Sequence, residues 1–159
     1  MIYGSCRQTS IGMMYVLERD KFIIGCGLGC PAEKTFFQKD TPLIAQTFHE
    51  INQYLNGNLK EFSIPFKLIG TPFQAAVWEV LRKIPYGKTL AYSDVANCIN
   101  NPKASRAVGG ACNKNPLLLI VPCHRVIGKN NDLVGFGYDI HLKRNLLDLE
   151  KRANYVGKR

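Results

Sequence analysis

Short apolar runs alternate with turn-forming residues at the start of the chain. Met13–Leu17 and Phe22–Cys26 read as a pair of strands, with Glu18–Lys21 as their connection. Thr41-Pro42 then opens a helix in which Ile44, Phe48, Ile51 and Leu55 recur at spacings of four, three and four, a single apolar stripe ended by Asn56-Gly57-Asn58. Phe62–Leu68 reads as a further strand. The character changes at Ile69-Gly70. Thr71-Pro72-Phe73-Gln74 is a helix start: Thr71 caps free amides, Pro72 takes the first helical position and Gln74 reaches back in a capping box. Phe73, Val77, Val80, Leu81 and Ile84 mark the buried face, and Pro85-Tyr86-Gly87 stops the helix.

Two shorter helices come next. The first carries Val95, Ala96 and Ile99, with Ser93 as its cap, and Asn100-Asn101-Pro102 breaks the chain before a second over Lys103–Cys112. Helix, tight break, helix is the helix-turn-helix arrangement, which periodicity alone does not separate from any helical hairpin. The second helix is unusual, because Gly109 and Gly110 each cost about 1 kcal/mol relative to alanine. Tight packing on a neighbouring helix accounts for its small residues. Arg106, one long cation among them, favours instead a helix that enters a groove. Leu117–Val121 is a continuous apolar run, expected as a buried strand or extended segment, that delivers Pro122-Cys123-His124-Arg125. Pro122 lacks a backbone donor and ends regular pairing, so Cys123 falls at a sharp turn.

Composition changes this picture in two respects. The 159 residues hold 46% apolar residues, enough for a core, and 21 Lys and Arg against 12 Asp and Glu give a formal +9. That balance favours a polyanionic partner such as nucleic acid, although a solvated basic surface would look the same. No apolar run nears the roughly 20 residues that span a bilayer, and the start lacks the order of a secretory leader. The expected compartment is therefore the cell interior, the cytoplasm, or the nucleus in a eukaryote. There the six cysteines (Cys6, Cys26, Cys30, Cys98, Cys112 and Cys123) are expected to be mostly reduced.

The candidate chemistry centres on Cys123. A free thiol is mostly protonated at neutral pH, and a neighbouring imidazole or cation favours the attacking thiolate. His124 and Arg125 are the adjacent candidates. An extended Cys-His pair points its side chains apart, so contact needs a local turn or a bridging water. A zinc site would need two more ligands at metal-like spacing, and no Cys-x-x-Cys occurs.

Ile120-Val-Pro-Cys-His-Arg-Val126 resembles the active-site motif of the O6-alkylguanine-DNA alkyltransferases, also called methylated-DNA–protein-cysteine methyltransferases. Thr71-Pro-Phe-Gln-x-x-Val-Trp78, Ile84-Pro-Tyr-Gly-Lys-Thr89, Ala91-Tyr92, Arg106-Ala-Val-Gly-Gly-Ala111, Asn115-Pro116 and Lys143–Glu150 resemble family segments in the same order. The resemblance is close over 69–150 and loose before it. It implies an α/β domain over 1–68, a small antiparallel sheet plus helix that is ribonuclease-H-like, and a mostly α domain over 69–159 with a winged helix-turn-helix.

The implied activity is single-turnover repair of O6-alkylguanine in double-stranded DNA, with O4-alkylthymine as a further substrate, by a cytoplasmic monomer without cofactor. Cys123 would accept the alkyl group, His124 would draw its proton through a water, and Glu150 would orient His124. Asn115 would brace the turns. Tyr92 would help rotate the nucleotide and protonate the departing guanine. Arg106 would fill the vacated space, Ala107, Gly109 and Gly110 would approach the minor groove, and Val126 and Gly137 would hold the flipped base through their backbones. Tyr138, in Gly135-Phe-Gly-Tyr-Asp139, stands where many relatives carry small residues and would crowd the pocket. Some relatives bind zinc in the N-terminal domain, but matching histidines are missing here, and Cys6, Cys26 and Cys30 are expected as core thiols.

Two other functions share parts of this pattern. A DNA-binding module that recognises lesions without repairing them would use Arg106 and the helix-turn-helix but not Cys123, His124, Asn115 and Glu150 together. A thiol hydrolase or peptidase would need turnover and an oxyanion hole, which nothing in the chain specifies.

Overall fold

The computed structural model describes residues 1–129 and 137–157. The chain divides into two compact units, Met1–Ile69 with Pro116–Leu118, and Gly70–Asn115 with Leu119–Arg159.

In the first unit, strands β1 (Ile2–Thr9), β2 (Gly12–Arg19) and β3 (Phe22–Leu28) form antiparallel hairpins, and β4 (Phe37–Gln38) joins β1 in parallel, giving the order β3-β2-β1-β4. The sheet is therefore mixed rather than purely antiparallel. The β2–β3 connection is only Asp20-Lys21, both at positive φ (52° and 68°), the two-residue turn whose twist matches that of the strands. Helix α1 (Pro42–Leu55) starts as its sequence dictates, with Thr41 Oγ1 accepting from Ile44 N at 3.1 Å. It buries Ile44, Phe48, Ile51 and Tyr54.

Two expected strands of this unit are single bridges. Phe66 forms an isolated bridge to Ile23, flanked by Ile23 N→Pro65 O and Lys67 N→Ile23 O. Pro65 has no N–H to extend the ladder. Leu117 forms an isolated bridge to Cys26, and the chain then turns, with Leu119 at φ 72°, so 117–121 is buried but not extended. The expectation of three core thiols also fails. Cys6 on β1 and Cys30 beyond β3, with Cα atoms 6.0 Å apart, form a disulfide, and only Cys26 is a buried free thiol. The strand register brings together two cysteines that lie 24 residues apart in sequence.

The second unit opens with α2 (Pro72–Arg82). Its capping box is complete: Gln74 N donates to Thr71 Oγ1 (3.1 Å) and Thr71 N donates to Gln74 Oε1 (3.0 Å). Between α2 and α4 (Ser105–Asn113) lie β5 (Leu90–Ala91) and α3 (Tyr92–Cys98). The Trp78 indole, buried, donates to Ala111 O at 2.8 Å and ties α2 to α4. The α3 cap differs from expectation: Ser93 sits inside the helix, Ala91 is the N-cap, and Asp94 Oδ2 accepts from Ala91 N at 2.8 Å. Tyr92 is thus the first helical residue. After the break, Val108, Ala111 and Cys112 form the buried face of α4. A 3₁₀ turn over Cys123–Arg125 leads into β6 (Val126–Ile127), parallel to β5, and α5 (Ile140–Gly157) closes the unit. Among the described residues no helix is long and apolar enough to cross a membrane, and no group of three or more metal-ligating side chains occurs.

Candidate active site

Directly after Pro122 the chain winds into the 3₁₀ turn, so Cys123 and His124 lie on curved rather than extended backbone. Both are buried, Cys123 at 3% exposure and His124 at 0%. Asn115 Nδ2 donates to Val121 O at 2.7 Å, pinning the residues before Cys123, and its side chain also hydrogen-bonds the thiol.

Glu150, fully buried on α5, is the acceptor around which the site is organised. His124 Nε2 lies 2.6 Å from Glu150 Oε2. A carboxylate only accepts, so Nε2 carries the hydrogen and Nδ1 is the ring nitrogen able to take a proton. Arg125 grips the same carboxylate from two nitrogens, Nε→Oε1 at 2.9 Å and Nη2→Oε2 at 3.0 Å, and Gly87 N donates to Oε1 at 3.0 Å. The third Arg125 nitrogen, Nη1, donates to Ile84 O at 2.7 Å. Pro85-Tyr86-Gly87 therefore does more than stop α2: it brings a backbone amide to Glu150. Gly87 sits at φ +78°, and a Cβ there would collide with Asn154, whose Nδ2 donates to Tyr86 O at 3.2 Å.

The electrostatics come from burial and these contacts. Burial raises Glu150, but the hydrogen bonds from His124 and Arg125 and the Arg125 charge outweigh it and bring the carboxyl down to about 2. Burial pushes His124 below its usual value, only partly opposed by Glu150, so the imidazole is neutral and basic at Nδ1. Burial raises the Cys123 thiol, while the Asn115 side chain, the Lys143 ammonium and the backbone amides of Cys123 and His124 favour its thiolate. Burial likewise raises the Tyr92 phenol, with Cys112 and Cys123 adding to it.

Arg125 is the main correction. Placed by sequence beside the nucleophile, it is bonded to Glu150 and Ile84 instead. The cation that faces Cys123 is Lys143, which adjacency could not identify. It is 0% exposed on α5, with Nζ 3.3 Å from Tyr92 Oη and 5.6 Å from the ring centroid. Its signal in the sequence is its spacing: Lys143, Leu146 and Glu150 are three and four residues apart, one helical face, and all three are buried.

The remaining candidates divide by exposure. Arg106, Ala107 and Gly110 lie on the open face of α4, and Gly109 is half-buried with Tyr92 beneath it. Val126 is buried in β6. Gly137 is exposed, and a Cβ on it would come within 2.8 Å of Asn113 O, so a side chain would crowd the end of α4. Tyr138 is half-buried, and Gly135 and Phe136 lie outside the described residues. Charge is concentrated in the same part of the chain: 14 of the 21 Lys and Arg, but six of the 12 Asp and Glu, fall at 70–159, leaving eight of the nine net positive charges there.

Known proteins are similar to this chain in sequence and fold. Residues 72–152 match the model of the 6-O-methylguanine DNA methyltransferase DNA-binding domain, and residues 1–68 match that of the ribonuclease-like domain of the same family. The inducible methylated-DNA–protein-cysteine methyltransferase of Bacillus subtilis is 57% identical over 105 residues, 66% of this chain and 59% of that protein's length. The Haemophilus influenzae methylated-DNA–protein-cysteine methyltransferase is 47% identical over 122 residues, 76% of this chain and 68% of its own length. Mycobacterium tuberculosis OGT, solved in complex with DNA, superposes with a TM-score of 0.88 at 35% identity, over 95% of this chain and 94% of that one. With both family models matched and the catalytic-type geometry held within one unit, the chain belongs to the 6-O-methylguanine DNA methyltransferase family.

Proposed function

We propose that this protein repairs alkylated DNA by moving an alkyl group from O6 of guanine to Sγ of Cys123, each molecule acting once. The observation that carries the reading is a buried cysteine on a turn directly before a histidine whose Nε2 is locked to a buried carboxylate. That lock leaves Nδ1 to receive the thiol proton. The O6 atom lies inside the duplex, so the nucleotide must leave the stack at a cost of a few kcal/mol. Arg106, exposed on α4 among small residues, fills the gap, while Ala107 and Gly110 let that helix approach the minor groove closely. Tyr92, at the start of α3 and under Gly109, gives a proton to the departing base. Val126 and Gly137 hold the flipped base through backbone groups. The product is a thioether with no hydrolytic exit, so Cys123 is consumed. The active species is a monomer that works inside the cell.

The test is the intact mass of the protein after incubation with duplex DNA carrying one O6-methylguanine. A stoichiometric gain of one methylene, about 14 Da, mapped to the Cys123 peptide is the expected result. Tight lesion binding with no mass gain would instead place the protein among non-catalytic recognition modules.

Alkyl size is a separate expectation. Tyr138, half-buried beside Gly137, narrows the base site. The wild-type protein should react slowly with O6-benzylguanine, and Tyr138→Gly should react about tenfold or more faster, the selectivity that a change in apolar pocket size provides. Equal second-order rate constants for the two proteins would remove Tyr138 as the discriminator.

A further inference from the structure

We propose that Lys143 is a positioning residue for the transfer, its buried ammonium serving the Cys123 thiolate when the reaction begins and the Tyr92 hydroxyl when it ends. The inference rests on Cys123 as acceptor and Tyr92 as acid. A fully buried lysine is costly, because its charge leaves water. Here Nζ donates toward Tyr92 Oη at 3.3 Å, and the ammonium sits over the same ring at 5.6 Å. The groups facing it come from three elements: Tyr92 from α3, Cys112 from α4, and Cys123 with His124 from the 3₁₀ turn. Thiolate charge on Cys112 or Cys123 favours the protonated lysine, and the lysine in turn favours the thiolate.

The charges balance through the reaction. His124 takes the Cys123 proton, leaving a thiolate opposite the ammonium. The S–C bond forms as the C–O6 bond breaks, and the bonding pair stays on the guanine. The Tyr92 proton passes to that guanine, leaving a phenolate on the oxygen that already accepts from Nζ. One fixed cation thus meets one negative charge before and after transfer, with no reorganisation in between, which is how preorganised groups lower a barrier. Cys112 shares the same cation. Burial pushes its thiol up to about 12, while the histidine that takes a proton adjoins Cys123 in the chain.

The experiment compares wild type with Lys143→Met, Lys143→Gln and Lys143→Arg in three measurements. These are the single-turnover rate of methyl transfer from O6-methylguanine DNA, the pH midpoint of Cys123 alkylation by iodoacetamide without DNA, and the melting temperature. Lys143→Met should slow transfer about 100-fold or more. It should also raise the alkylation midpoint by about one pH unit or more, the shift that an opposite charge at this range confers. Its melting temperature should stay level or rise, because a desolvated charge has been removed. Lys143→Arg should keep the midpoint near wild type. A midpoint unchanged in Lys143→Met, an undiminished rate, or loss of folding in both the Met and Gln variants would overturn the proposal and leave Lys143 a structural residue. Failure of the underlying assignment looks different: wild type itself would take no methyl at Cys123.

Discussion

Cys123→Ala should bind O6-methylguanine DNA as tightly as the wild-type protein and take up no methyl group at all. The two halves of this result have separate physical origins. Replacing a 3% exposed thiol by a methyl removes one sulfur atom from the core, a loss of about 1 kcal/mol that leaves the fold intact. The exposed side of α4, with Arg106, Ala107 and Gly110, does not depend on that atom. Fluorescence anisotropy with a labelled duplex should therefore give an affinity within about twofold of wild type, and the salt dependence, set by phosphate contacts, should be unchanged. Transfer should fall below detection, because the only other buried thiol of this unit, Cys112, is held protonated at about 12. Peptide mapping makes the measurement decisive. Methyl found on Cys112 of the variant would mean that the pocket activates whichever thiol it holds and that Cys123 is not uniquely selected. Methyl uptake unchanged in amount and rate would remove Cys123 from the mechanism. A variant that loses both binding and transfer would point to a structural cysteine.

The parts of this molecule that are legible in its sequence are those whose cause is local along the chain. Thr71-Pro72-Phe73-Gln74 is a complete instruction within four residues, and the structure contains both of its hydrogen bonds. The same holds for Thr41-Pro42 and for the turn that Pro122 imposes before Cys123. Strand β1 is hidden because its buried positions include Gly4 and Ser5, so no apolar alternation marks it. The disulfide is hidden because Cys6 comes near Cys30 only through the register of β1 on β2 and of β2 on β3. In the site, family motifs point to His124 and Glu150, and their contact crosses 26 residues. Arg125 and Lys143 exchange roles between sequence and structure for one reason. Proximity along the chain places Arg125 at the thiol, whereas the 3₁₀ turn directs it to Glu150 and the pitch of α5 carries Lys143 inward.

The Glu150 cluster should lose more stability when one of its charges is removed than when two are removed together. Glu150→Gln removes the negative charge and one of the two acceptor oxygens shared by Arg125, Gly87 and His124, and leaves a 6% exposed guanidinium without its counter-charge. Breaking a buried pair in this way costs about 3–5 kcal/mol. The variant should unfold at clearly lower urea concentration and transfer methyl about 100-fold more slowly, since His124 loses its orientation. The joint variant Arg125→Met/Glu150→Leu should regain much of the lost stability, because neither charge is then desolvated, yet remain as slow as Glu150→Gln. Acid should reproduce the single variant reversibly. Both His124 and Glu150 have folded-state values below their unfolded ones, so each contributes stability above its unfolded value that is lost as pH falls. For neutral His124 the loss begins below pH about 6.5. For Glu150 it runs from pH about 4.5 down to about 2. Urea midpoints measured from pH 7 to pH 3 should fall along this course in wild type and more shallowly below pH about 4.5 in the joint variant, where the Glu150 contribution is gone. A joint variant as unstable as Glu150→Gln would mean that packing around the carboxylate, and not the buried charge, sets the stability of this region. A joint variant that transfers methyl at the wild-type rate would mean that His124 needs no carboxylate to act.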